Sequence, residues 1–157
     1  MTSINLVREF NEVFGVLIAF KPEMPTIDRV DFRVNFIKEE AEETKKAWIE
    51  DDLVEFADGL GDIQYVLDGF FLEAGLADKK DAIMAEIHRS NMSKACRSLD
   101  EAKETQRVRQ LEFPNEIILY KARYDYYIVY READNKVLKS INYSKPNLEP
   151  IIYDKIS

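Results

Sequence analysis

Ten acidic and three basic side chains lie between residues 38 and 62, a local balance of 3 − 10 = −7. Glu39-Glu40-Ala41-Glu42-Glu43 stands in the middle of a helical pattern. Glu39 and Glu43 are four apart and Glu40 and Glu43 three apart, so these three crowd one side of the helix while Glu42 points elsewhere. On the next helical segment Glu55, Asp58 and Asp62 again share a face. Like charges at such spacings cost a few tenths of a kcal/mol per pair, and two such faces meeting would cost more unless a cation sat between them. Carboxylate oxygens suit hard divalent ions, so Mg²⁺ is the expected cofactor, with Mn²⁺ able to replace it.

An acidic run is commonly just a solvated face, and a non-catalytic helical dimerisation module would carry one equally well. Asp58-Gly59-Leu60-Gly61-Asp62 favours a site. Each glycine inside a helix costs about 1 kcal/mol relative to alanine, which a close approach of a second helix or a ligand would explain. A third element, His88-Arg89-Ser90-Asn91-Met92-Ser93-Lys94, gathers guanidinium, amide, hydroxyl and ammonium donors of the kind that hold phosphate oxygens. Basic residues ending a helix also complement its dipole, so this segment gains weight only beside the acidic faces. An acidic cradle together with a basic donor cluster is what a phosphoanhydride substrate requires.

These residues must be positioned by helices. Leu6, Phe10, Val13, Phe14 and Leu17 give helical spacing from about Ile4 to Phe20, and Pro22 and Pro25 then interrupt the chain. A second helix opens at Thr26 or Asp28 with the stripe Val30, Val34, Ile37, Ala41, Thr44 and Trp48. A third starts at Asp51-Asp52 with Leu53, Phe56, Leu60, Ile63, Leu67, Phe70 and Ala74, and Gly75 stops it. A fourth runs from Asp78 or Asp81 to Lys94. Short joints between four helices predict an antiparallel bundle. Ser98 to Leu111 reads as a fifth helix, Tyr124–Arg131 as a strand, residues 133–136 as a turn and Val137–Lys139 as a returning strand. The tail from Pro146 has no strong period.

The fold class expected is all-α: a four-helix core over about residues 4–95, with an added C-terminal helix and small β-hairpin over about 98–145, in a single domain spanning 1–157. The chain has 22 Lys+Arg and 30 Asp+Glu, a formal charge of −8, and this acidity argues against nucleic acid or anionic lipid as a partner. One cysteine, Cys96, fits a reducing compartment. The opening residues lack a basic stretch followed by an apolar one, and no apolar run approaches a membrane span, so a cytoplasmic protein is expected.

Glu39-Glu40-x-x-Glu43 followed by acids on the next helix resembles the EExxE…ExxD signature of the all-α nucleoside triphosphate pyrophosphohydrolases. That superfamily groups MazG-type enzymes, dimeric dUTPases and phosphoribosyl-ATP pyrophosphohydrolase. Val7–Gly15, His88–Lys94 and Lys136–Tyr143 resemble the MazG-like, phosphoribosyl-ATP-pyrophosphohydrolase-like branch, so the likeness spans roughly residues 4–95 and 128–152. Gly59 stands where the signature has its second-motif Glu. Asp58 with Asp62 is the preferred reading, and Glu55-x-x-Asp58 is the literal motif one turn early. Residues 97–127 look like an insertion. The resemblance implies cleavage between the α- and β-phosphates of a nucleotide, with Mg²⁺ on Glu39, Glu40, Glu43, Asp58 and Asp62 and the water oriented by Glu39 or Glu40. It implies phosphate contacts from Arg89, Asn91 and Lys94, with Tyr65 and Asn11 as candidates for the base or sugar. It also implies a homodimer or homotetramer. A nucleoside triphosphate is the expected substrate, with dUTPase-like or phosphoribosyl-ATP hydrolysis as alternatives.

Overall fold

The computed structural model describes residues 2–154; Met1 and residues 155–157, which the expected domain and tail include, lie outside the described residues. The chain forms two compact units, one reaching from the N-terminus to Lys80 and rejoined at Ile152, the other Asp81–Ile151. The fold is mostly helical with a small antiparallel hairpin, as the sequence implies. Among the described residues no helix is long and apolar enough to cross a membrane.

In the first unit, α1 (Ser3–Phe14) is shorter than its periodicity predicts. Gly15 takes φ +67°, and its N–H and that of Val16 both return to the Asn11 carbonyl, closing the helix before Leu17. A loop holding Pro22 and Pro25 follows. Its Ala19 and Glu23 N–H groups donate to Leu72 O and Ala74 O, satisfying carbonyls at the end of α3 (Leu53–Glu73). Gly75, at φ +65°, is required twice over, because a Cβ there would collide with the Lys21 carbonyl.

α2 (Ile27–Ile49) joins α3 through a tight turn. Asp51 enters the left-handed region at φ +57°, and the Asp52 carboxylate accepts from Val54 N at 2.9 Å and Glu55 N at 3.1 Å. Such a cap contributes about 1 kcal/mol. The two helices run antiparallel, with Arg33 against Gly69 and Thr44 against Gly59. Gly59 is therefore a helix–helix contact: a Cβ there would meet Thr44 Oγ1 and lie 3.2 Å from the Thr44 Cα. Gly61 has nothing within 4 Å of the same construction.

The inward stripes differ from those the apolar periodicity predicts. On α2 the inward residues are Arg33, Ile37, Glu40, Thr44 and Ala47, whereas Val34, Ala41 and Trp48 are exposed. On α3 they include Gly59, Ile63, Val66, Gly69, Leu72 and Glu73, while Leu53, Leu60 and Leu67 face outward. On α1 only Val7 and Asn11 are buried. The inward faces are partly polar because charged side chains pair there.

The second unit contains α4 (Lys80–Met92, from Asp81 onward), α5 (Leu99–Glu112), β1 (Ile118–Arg123) and β2 (Tyr126–Arg131). A one-turn helix, α6 (Glu149–Ile152), closes the chain segment. Cys96, Ala102, Ile118, Val129 and Leu138 form its core. β2 pairs along its length with β1, upstream, and the turn is Tyr124-Asp125 with Tyr124 at φ +51°. The expected return strand makes only a bridge from Val137 to Tyr130, with Leu138 N bonded to Val129 O.

Gly59→Ala should lower stability by about 1–3 kcal/mol through overpacking against Thr44, whereas Gly61→Ala should raise it by up to about 1 kcal/mol. Thermal melts of the two variants check this. Equal effects would mean that Gly59 is not a contact point.

Candidate active site

A cleft of about 710 Å³ opens in the first unit among α1, α2 and α3. Residues of α2 line it at a regular spacing: Arg29, Arg33, Phe36 and Glu40 are steps of four, three and four, one continuous helix face. α3 supplies Asp62, Tyr65 and Val66, α1 supplies Val7, Phe10 and Asn11, and the loop after Gly15 adds Val16 and Leu17. Phe32 and Phe36 pack 5.2 Å apart on the α2 side, and Phe10 meets Tyr65 edge-on at 5.8 Å across α1 and α3.

One end of this cleft is acidic. Burial, reinforced by the charges of Asp62, Glu43, Glu39 and Asp58, raises the Glu40 carboxyl above the ordinary glutamate range. Five carboxylates from two helices thus share one electrostatic environment, and Glu55 is not among those acting on Glu40. Hard oxygen donors in an unrelieved negative potential suit a divalent cation. Among the described residues no three such side chains come together in ligating geometry, so the fit is one of donor chemistry and charge.

The other end is cationic. Glu73 is fully buried and takes hydrogen bonds from Arg33 Nη2 at 2.7 Å, from Arg29 Nε at 3.3 Å and from Arg29 Nη2. Burial works to raise Glu73, but the bonds from Arg33 and Arg29 outweigh it and hold the carboxyl below its usual range. Arg29 also stacks its guanidinium over the Phe32 ring at 4.8 Å. The sequence reading missed Arg29 and Arg33. Their signal was present: both continue the face that carries Ile37, Glu40 and Thr44, where a basic residue needs a partner.

Of the residues expected at a site, Glu40, Asp62, Tyr65 and Asn11 line the one cleft, and Glu39, Glu43 and Asp58 act on Glu40 beside it. Burial, with Glu9 nearby, raises the Tyr65 hydroxyl. Asn11 Nδ2 reaches the Leu17 carbonyl at 3.4 Å. Arg89, Asn91 and Lys94 belong to the second unit. There Arg89 pairs with Glu86 at 2.7 Å and donates to Lys145 O at 2.9 Å, and Lys94 Nζ donates to Asn91 Oδ1 at 2.7 Å. Ser90 and Ser93 of the same segment hold the Ser144 backbone.

The family model of phosphoribosyl-ATP pyrophosphohydrolase matches residues 7–91, just over half of the chain and the stretch holding all of α1, α2 and α3 that lines the cleft. The chain belongs to the phosphoribosyl-ATP pyrophosphohydrolase family. Comparison with the curated proteins gave no match. As a member of this family the chain is a hydrolase of pyrophosphohydrolase type, in the MazG-like branch that the acidic motif resembles. The matched region ends within α4, before α5 and the hairpin.

Removing the Glu73 carboxylate leaves two guanidiniums without their shared partner, so Glu73→Gln should cost about 3–5 kcal/mol of unfolding free energy. Because the folded carboxyl titrates below 4.5, its contribution is complete above that pH and is lost as pH falls through the lower folded value. The difference between wild type and Glu73→Gln in chemical denaturation should therefore be constant near neutrality and shrink below about pH 4.5. A difference that grows on acidification would contradict the clamp.

Proposed function

We propose that this chain hydrolyses nucleoside triphosphates, ribo- or deoxyribo-, between the α- and β-phosphates, giving a nucleoside monophosphate and pyrophosphate. The observation that carries this reading is a single cleft with clustered carboxylates at one end and aromatic walls beyond them. Glu39, Glu40, Glu43, Asp58 and Asp62 would hold Mg²⁺, or Mn²⁺ in its place. The ion, when bound, neutralises phosphate charge and polarises the anhydride.

Glu40, which lines the cleft beside Asp62, would orient the attacking water and accept its proton, with Glu39 as the alternative. Water oxygen bonds to one phosphorus while the bridging P–O bond breaks and pyrophosphate takes the electron pair. Tyr65 and Asn11 hold the sugar or base, and the aromatic side chains exclude bulk water from it. Arg89, Asn91 and Lys94 are proposed to contact the phosphates from a neighbouring copy in a homodimer or homotetramer. Supporting an oligomer, Leu6, Val13 and Phe14 on α1 and Trp48, Ile49, Leu53 and Val54 at the α2–α3 turn are exposed in the single chain.

The family match favours a second reading, in which phosphoribosyl-ATP is the substrate. Both readings are separated by one experiment on protein whose oligomeric state has been set by sedimentation. With Mg²⁺, nucleoside triphosphates should yield pyrophosphate and monophosphate, and Glu40→Gln should lower kcat by at least about 100-fold with the fold intact by circular dichroism. Release of inorganic phosphate and diphosphate, or full activity in Glu40→Gln, would refute the mechanism. Turnover of phosphoribosyl-ATP alone would select the second reading.

A further inference from the structure

The second unit holds a groove of its own, about 400 Å³, and all of its lining except Asn91 lies outside the residues matched to the family. It forms because the chain after α4 runs beside β2, where Cys96 and Tyr127 exchange backbone hydrogen bonds at 2.8 Å. Met92, Ala95, Ile128 and Val137 give it an apolar floor. Arg123 and Tyr126 pair across the two strands, so they stand on one face of the hairpin, and both line the groove. Lys94 is its second cation, and its Nζ donates to a neutral acceptor, Asn91 Oδ1, at 2.7 Å. Among the described residues no carboxylate lines the groove, so the charges of Lys94 and Arg123 are not cancelled there. The acid of the chain is concentrated elsewhere: residues 81–151 carry 12 Lys+Arg and 11 Asp+Glu, 12 − 11 = +1, and the remaining residues carry 10 and 19.

Tyr124, in the turn, is not explained by folding. It is fully exposed and sits at φ +51°, a region that bulky side chains rarely adopt and that glycine or asparagine fits better. The fold bears this strain and gains no burial from the ring, yet the ring lines the groove together with Tyr126.

We propose that this groove binds a nucleoside monophosphate, with its base against the rings of Tyr124 and Tyr126 and its phosphate between Lys94 and Arg123. A phosphomonoester carries about −1.5 to −2 charge at neutral pH, which two uncancelled cations match. Tyrosine rings over an apolar floor accept any base by stacking. The volume lies in the lower part of the range for small-molecule pockets, about 300–1,000 Å³, which is room for one nucleotide. A polynucleotide is disfavoured, because its many phosphates would meet a chain of charge −8. Asn91 and Lys94 serve this ligand and a neighbouring copy's substrate in turn, and binding here does not rest on the hydrolytic reading.

Amide-resolved NMR of the intact protein, titrated with adenosine monophosphate in metal-free buffer, tests this; without metal the acidic end of the other cleft repels the phosphate. Shifts should fall on residues 91–95 and 123–128. Adenosine and ribose 5-phosphate, each lacking one half of the ligand, should bind at least about tenfold more weakly. Arg123→Gln should weaken the monophosphate by about tenfold. Tyr124→Gly relieves the left-handed strain, so it should melt no lower than wild type and yet bind at least about fivefold more weakly. No shifts, or shifts confined to the first unit, would overturn the proposal. Ribose 5-phosphate binding as well as the nucleotide would reduce the groove to an anion patch, and adenosine binding as well would leave an apolar groove only; either refutes it. Tighter binding of a six-residue oligoadenylate would make the occupant a polynucleotide and refute it too, as would unchanged affinity in Arg123→Gln or Tyr124→Gly.

Discussion

The close antiparallel approach of α2 and α3 governs the first unit. It is possible only where α3 lacks a side chain, at Gly59 against Thr44 and at Gly69 against Arg33. Once the helices are that near, Glu40 is drawn inward beside Asp62 and Asp58, and burial, reinforced by their charge, raises its proton affinity. The same register carries Arg29 and Arg33 to Glu73. One packing geometry therefore creates an acidic end, where charge is unrelieved, and a basic end, where it is largely paired. Repulsion at the first weakens the apo fold, and the buried clamp at the second secures the helices against it.

Outside the region matched to the family, the chain builds a separate core. α5 and β1, drawn from the stretch that reads as an insertion, place Ala102 and Ile118 beside Cys96, Val129 and Leu138. Ser98 caps α5 by accepting from Glu101 N at 3.1 Å, while the Glu101 carboxylate accepts from Arg97 N at 2.9 Å. These elements thus supply the apolar surface on which residues 137–138 rest. The donor-rich segment at the end of α4 is engaged there with the 144–147 backbone, through Ser90, Ser93 and Arg89 and through Glu86 to Asn147 N at 2.6 Å.

Much of this was legible in the residues, and the failures share one cause. The acidic pair of motifs, the Asp52 cap, the stop at Gly75 and the Ser98 start are local signals, and each is where the chain's chemistry predicts. The inward faces of the first three helices were not. An apolar-stripe reading assumes that hydrophobic residues face the interior, yet here Arg33, Thr44, Asp68 and Glu73 are buried by pairing or close contact. Leu53, Leu60 and Trp48 consequently face outward in the single chain. The hairpin partner was missed for a different reason. Tyr124 continues the aromatic run but turns the chain at positive φ, so the strand pairs backward with Ile118–Arg123 rather than forward.

A divalent-cation site and a solvated acidic surface differ in how the fold responds to Mg²⁺. The most direct test is the melting temperature of the intact protein against Mg²⁺ concentration, beside the double variant Glu40→Gln/Asp62→Asn. An ion that binds only the folded chain stabilises it progressively as its concentration rises above Kd. Wild type should melt at higher temperature with each increase in Mg²⁺, and the variant, its repulsion already reduced, should melt higher in metal-free buffer and then not respond. A wild type indifferent to Mg²⁺, or a variant that responds equally, would contradict the site.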